Sequence, residues 1–294
     1  MLIRRTEPLL AIALLLVLGI CFAPVLFASF QAWSAAGGGL ENRVICLVAV
    51  IFLMSQQKDL LKLPLAGLPA QGFGFLCVFG SLLLVQLPLL TLQALALAIA
   101  LFGLVVFRWG KPGWEAVKRP LIIVGMILTV SGVANGFLPR YTPIVPWLQQ
   151  FVAGSAAYIL WLCGLPVTVQ DTVLQIGNAG GVDVNAGCSG IHSLTEVGVL
   201  AITAILTISQ RSLKDNLRYF FTCELIVLGL NIFRILLLAY ATTSLGKETF
   251  DALHEGWGAS LYGNAISIVA ILYTSSFFQW NPFDPQSASD SGSP

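Results

Sequence analysis

The sequence predicts an all-α polytopic membrane protein, with about eight transmembrane helices and a small outer-face β-hairpin before a cysteine-bearing helix. Three observations predict it. The 294 residues are 57% hydrophobic and 10% charged, against about 25% charged in ordinary soluble domains. Several apolar runs reach the roughly 18–20 residues needed to cross a bilayer. Between two of them, residues 167–185 alternate Val and Ile with polar partners around Gly177, Gly180 and Gly181, as a hairpin does. The net charge of +1 comes without a basic cluster, so nothing points to nucleic acid.

In order, Arg4-Arg5 precede an apolar run over residues 9–30, with small residues at Ser34-Ala35-Ala36. The run exceeds the roughly 7–15-residue core of a signal peptide, so an uncleaved first membrane helix is expected. A shorter run, 44–54, needs its polar flanks to span. Lys58, Asp59 and Lys62 mark a loop broken by Pro64 and Pro69. Residues 73–107 are too long for one crossing, and Pro88 divides them. Arg108, Lys111, Lys118 and Arg119 form a basic loop, and 121–137 is a fifth span.

From Leu138 the character changes. Pro139, Pro143 and Pro146 open a segment with an aromatic-rich helix over 147–162, ended by Pro166. Three more spans follow, 191–209, 219–240 and 257–280, and a Pro/Ser/Asp-rich tail from residue 281 reads as disordered. The organisation is thus one membrane domain, 1–280: scaffold helices 1–137, an outer-face segment 138–187, site-bearing helices 188–280, and a cytoplasmic tail 281–294.

Loop charge sets the orientation. The positive-inside rule places Arg4-Arg5, Lys58/Lys62, the 108–119 loop and Arg211/Lys214/Arg218 in the cytoplasm. Residues 138 and 187 then share the outer side, so helix 147–162 lies at the interface or enters and returns. Both termini are inside, and Cys188 is on the outer face.

Cys21, Cys46, Cys77, Cys163 and Cys223 lie in apolar stretches, where a cysteine is a small packing residue. Their spacing fits neither a zinc motif nor a disulfide framework. Cys188 alone sits among Asn185, Gly187, Ser189 and Gly190, where a polar loop enters a membrane helix. A helix start favours an anion and lowers a thiol pKa.

Two further outer helix ends carry unusual groups. Arg234 lies about two turns from the outer end of span 219–240. There an arginine costs up to about 2.5–3.5 kcal/mol on insertion scales and is a functional candidate by default. Asn231 shares its face. His254-Glu255 precede the last span. A thiol, a fixed cation and an imidazole on one membrane face are the parts for cysteine acyl transfer. His192 competes with His254 for the base, since on a helix it would share a face with Cys188. Glu196, a turn below, is expected to pair with His192. A metal site from Cys188, His192, His254 and Glu255 or Glu196 is disfavoured by the single sulfur and the lack of a His-x-x-x-His pair. No cofactor is expected.

The runs Asn185-Ala186-Gly187-Cys188-Ser189-Gly190-Ile191, Asn231-Ile232-Phe233-Arg234 and Leu253-His254-Glu255-Gly256 resemble the three motifs of the exosortase/archaeosortase family. These are polytopic membrane cysteine transpeptidases or proteases that process the C-terminal sorting tails of exported proteins. The motifs cover residues 185–263. By position, the resemblance implies Cys188 as nucleophile, Arg234 as the stabilising cation and His254 as proton shuttle. It implies partners that are membrane-anchored exported proteins with PEP-CTERM-type tails: a Pro-Glu-Pro motif, a transmembrane helix and a basic end. The acceptor nucleophile is unidentified. The implied location is the plasma (inner) membrane, with the site on the periplasmic face. His192 is not a position the motif requires, and both imidazoles stay open as the base.

The alternative from another class is a multi-span transporter or channel, with Arg234 and the histidines lining the path. It predicts polar groups continuing to the inner face and an inverted repeat. An intramembrane protease of other chemistry, or an assembly factor for envelope polysaccharide, is a further alternative.

Overall fold

The computed structural model describes residues 16–31, 39–177 and 180–279. The expected tail over 281–294 and the start of the first apolar run, 9–15, lie outside these residues. The helices are α1 (Leu16–Gln31), α2 (Gly39–Ser55), α3 (Leu68–Leu84), α4 (Leu90–Gly132), α5 (Leu138–Tyr141), α6 (Ile144–Leu162), α7 (Ile191–Ile208), α8 (Leu213–Tyr240), α9 (Lys247–His254) and α10 (Trp257–Phe278). Strands β1 (Val167–Gln170), β2 (Val173–Ile176) and β3 (Gly180–Asp183) lie between α6 and α7. The chain forms two compact units: residues 1–35 with 47–132, and residues 36–46 with 133–294.

In the first unit Pro88 falls in the break between α3 and α4, as its missing N–H and fixed φ require. The basic stretch 108–119, expected as a loop, is helical on both sides of a single reversal. Gly110 leaves the helix with φ 62 and ψ −147. The chain then folds back, so that Gly125 faces Ala98 and Gly132 faces Thr91. Lys and Arg are good helix formers, and Pro112 sits in the first turn after the reversal, where proline is tolerated. One left-handed glycine therefore does what a loop was expected to do. The core is apolar, built on Leu18, Phe22, Val78, Ala94, Leu97 and Ala100.

In the second unit α6 buries Val145, Leu148, Val152, Ala156 and Leu160, one stripe at helical spacing. The stripe packs with Leu174, Ile176 and Val182 of the sheet and with Ile235 and Leu238 of α8. The expected hairpin is a three-stranded antiparallel sheet in the order β1-β2-β3. Its register pairs Val167 with Ile176 and Leu174 with Val182. The extra strand arises because Asp171, at φ 55, adopts the left-handed conformation of a tight turn, which Asp tolerates better than most residues. The alternation thus supplies two turns rather than one.

Helix α8 is capped by Ser212, whose hydroxyl accepts from the Asp215 N–H at 3.2 Å. It runs on through a π turn, Ala241–Leu245. Gly180 of β3 packs on Thr242 of that turn, which a Cβ would approach to 2.9 Å. The segment between the spans expected over 219–240 and 257–280 is thus largely this turn and α9. Among the described residues four helical stretches are long and apolar enough to cross a membrane: Leu90–Tyr141, Ile191–Ile208, Leu213–Leu245 and Trp257–Phe278. α1 and α3 are shorter apolar helices. Length and composition carry these four, and the fuller count of eight crossings belongs to the proposal below.

Candidate active site

The strands deliver Cys188 into a tight turn that is held from several sides. Val184 donates its N–H to Thr172 O at 3.0 Å, and Gln149 of α6 donates its side-chain amide to Val184 O at 3.0 Å. Asn185 folds the turn locally. Its side-chain oxygen and its carbonyl each lie 3.0 Å from the Cys188 N–H, and its carbonyl also accepts from Ser189 N. The Ser189 hydroxyl donates to Ala186 O at 2.7 Å and accepts from Ile191 N at 3.3 Å. Gly190, at φ 85, closes the turn onto α7. It has no Cβ because Asn231 stands there: an added Cβ would come within 2.8 Å of the Asn231 amide carbon.

From α8, the fully buried Asn231 donates Nδ2 to the Cys188 carbonyl at 2.9 Å. One turn further, Arg234 donates Nη2 to the His254 carbonyl at 3.1 Å. Its buried Nε has no partner among the described residues. The His254 ring stacks on Phe250, one turn earlier in α9, with centroids 5.2 Å apart. Its Nε2 lies 3.1 Å from Cys188 Sγ. On the other side of the ring, Nδ1 lies 3.5 Å from a carboxylate oxygen of Glu255, which is largely exposed. A screened pair of this kind adds little energy but favours one ring orientation.

The thiol is 1% exposed. Burial pushes Cys188 above the ordinary thiol range, Arg234 pulls it down, and Asp183 and Glu255 push it up. At rest the cysteine is therefore a neutral thiol beside an imidazole. The geometry suits transfer of the thiol proton to Nε2 as an electrophile approaches.

Three expectations are corrected here. Cys188 lies in the turn before α7, not on the helix, so Cys188 and His192 do not share a helical face. The helix start expected to favour an anion does not offer the Cys188 N–H, which Asn185 already engages. Glu196 pairs with Arg43 of α2, not with His192. Arg43 is 2% exposed, and its partner lies far along the sequence.

Among the described residues no group of three His, Cys, Asp or Glu side chains is placed to hold a metal ion. Of the groups singled out in the sequence, the structure brings together Cys188, Arg234, His254, Asn231, Asn185, Ser189 and Glu255. His192, in the first turn of α7, makes no side-chain hydrogen bond to them.

Tyr262 of α10 was not singled out. Its hydroxyl donates to Asn231 Oδ1 at 3.1 Å, and its ring lies under the Arg234 guanidinium, 5.0 Å from Cζ to centroid. A tyrosine near a membrane helix end is common, and only its place two turns after His254 would have drawn notice. Gln149 and Thr172 were also unmarked, because they act on backbone atoms.

A family model described as transmembrane exosortase (Exosortase_EpsH) matches residues 33–271, a stretch that contains every residue of this site. No curated protein and no solved structure matches the chain. Apolar helices of crossing length and a family match over most of its length make this chain an integral membrane protein that belongs to the transmembrane exosortase family.

Proposed function

We propose that the protein is a membrane cysteine transpeptidase or protease that cleaves the C-terminal sorting tails of exported proteins. The observation that carries this reading is the 3.1 Å approach of Cys188 Sγ to His254 Nε2, with Arg234 bonded to the carbonyl of the same histidine. In the proposed reaction His254 Nε2 takes the thiol proton while Sγ attacks the scissile carbonyl. The tetrahedral oxyanion forms beside Arg234, whose Nε is the unengaged buried donor. Collapse breaks the C–N bond, and His254 gives its proton to the departing amine of the tail. The thioester is then resolved by an acceptor nucleophile, whose proton returns through His254 to Sγ.

The eight-crossing topology and an active site on the periplasmic face of the inner membrane complete the proposal. A tail anchored by its own helix would present its cleavage point at that face. Phe250, stacked on the ring, and Asn185 and Ser189, which fold the cysteine turn, hold the reacting pair in register.

The test is co-expression with a reporter ending in a Pro-Glu-Pro motif, a helix and a basic end, read by intact mass. Wild type should remove the tail, and Cys188→Ala should insert but leave it intact. Equal cleavage by both would remove Cys188 as nucleophile and end this reading.

A further inference from the structure

Two α8 side chains hold the site, Asn231 at the Cys188 carbonyl and Arg234 at the His254 carbonyl, and one residue of α10 touches both. The Tyr262 hydroxyl donates to Asn231 Oδ1 at 3.1 Å, and Asn231 Nδ2 in turn donates to the Cys188 carbonyl at 2.9 Å. The amide orientation follows from that pairing. A flipped amide would set its oxygen against the carbonyl oxygen of Cys188 and its NH₂ against a phenol already able to donate. The Tyr262 ring meanwhile lies 5.0 Å below the Arg234 guanidinium carbon, within the range where a cation is attracted to an aromatic face. One hydrogen bond, Nη2 to the His254 carbonyl, leaves the guanidinium plane free to turn about that contact. The Tyr262 ring beneath the guanidinium restricts that freedom.

We infer that Tyr262 is the positioning residue of this site, fixing the plane of Arg234 through its ring and the amide of Asn231 through its hydroxyl. The inference rests on the proposal that Cys188 is the nucleophile and Arg234 its cation. Through Arg234, Tyr262 sets how strongly the positive charge acts on the thiol. Through Asn231, it sets where the cysteine turn sits. The charged and titratable groups facing Cys188 are Arg234 from α8, His254 from α9, Glu255 after it, Asp183 from β3 and Tyr262 itself from α10. Among these Arg234 is the cation whose placement the tyrosine ring governs.

The test reads the thiol directly. The full-length protein in detergent is alkylated with iodoacetamide across a pH series, and the peptide carrying Cys188 is quantified by mass. Arg234→Gln should raise the alkylation midpoint by on the order of one pH unit. Tyr262→Leu should raise it in the same direction, and should add nothing further in the Arg234→Gln background. Tyr262→Phe, which keeps the ring, should hold the wild-type midpoint while slowing reporter cleavage several-fold, with kcat rather than KM affected.

A midpoint unmoved in Tyr262→Leu, or moved equally with and without Arg234, would overturn the inference. Should Tyr262→Leu fail to accumulate, Tyr262→Phe carries the test alone. A shifted midpoint, or unaltered cleavage, in that variant would overturn it. The alkylation readings do not depend on the reporter reaction. Cleavage that survives Cys188→Ala would sink the proposed function while leaving the coupling of Tyr262, Arg234 and the thiol measurable.

Discussion

Glycine serves different ends in the two compact units. In the unit of residues 1–35 and 47–132, Gly74 and Gly103 let α3 and α4 meet backbone to backbone. A Cβ on Gly74 would lie 2.5 Å from Phe107 N, and one on Gly103 would lie 2.8 Å from Gly74 O. Small residues at a helix crossing are how membrane helices gain van der Waals contact when lipid is as apolar as leucine. In the unit of residues 36–46 and 133–294, Gly190 makes room for a polar group instead, the Asn231 amide that holds the Cys188 carbonyl. At these positions close backbone packing holds the first unit together, whereas in the second a polar contact places the cysteine turn. Stability and chemistry should therefore be separable by mutation.

The largest expected effect that tests this separation is at the base. His254→Ala should lower reporter cleavage by about 10²–10⁴-fold, the usual range for a general acid–base group. His192→Ala should change it by no more than a few-fold, and the reverse order would reassign the base. Next comes Arg234→Lys, expected to cost about 10²-fold. An ammonium retains the charge but lacks the planar guanidinium, which holds the His254 carbonyl while leaving Nε for the reaction. Full activity in this variant would show that charge alone suffices.

Smaller losses are expected from backbone changes in the second unit. Gly190→Ala combines a strained φ of 85 with a collision against Asn231. It should destabilise the protein by about 1–3 kcal/mol and slow cleavage roughly in step. Slower cleavage should be accompanied by a changed rate of Cys188 alkylation. The smallest effect on chemistry belongs to the first unit. Gly103→Val should cost about 1–3 kcal/mol by overpacking, seen as earlier thermal unfolding in detergent. The pH profile of Cys188 alkylation should stay unchanged, and a moved profile would erase the contrast between the units. In every variant that retains the site, alkylation should quicken as pH rises, because the buried thiol titrates above the ordinary cysteine range.

Much of this was legible in the sequence because membranes simplify the code. A charged residue inside an apolar run stands out, as Arg234 did; Cys188 stood out as the one cysteine among polar residues, and His254 by its place just before the last span. In the structure they converge, with His254 Nε2 3.1 Å from Cys188 Sγ and Arg234 bonded to the His254 carbonyl. Pro88 was legible because proline breaks helices by covalent geometry. The reversal at Gly110 was not, since the surrounding basic residues read as a loop although they favour helix. The third strand was hidden because alternation continues through Asp171-Thr172, and only a left-handed aspartate reveals the turn. The Arg43–Glu196 pair was out of reach for another reason. Arg43 reads as the polar flank of α2, and nothing local connects it to α7. Tyr262 was missed because its partners Asn231 and Arg234 are on another helix, α8, while its own helix gives no pattern.

The most direct measurement is chemical trapping of the intermediate. The wild-type protein is incubated with the tailed reporter, quenched in acid, digested and analysed for the peptide containing Cys188. The account predicts that this peptide carries the reporter segment preceding the cleavage point, and that hydroxylamine removes it, as it does a thioester. Reporter cleaved in the same sample by a protein that accumulates no such adduct, with Cys188→Ala cleaving equally well, would contradict it.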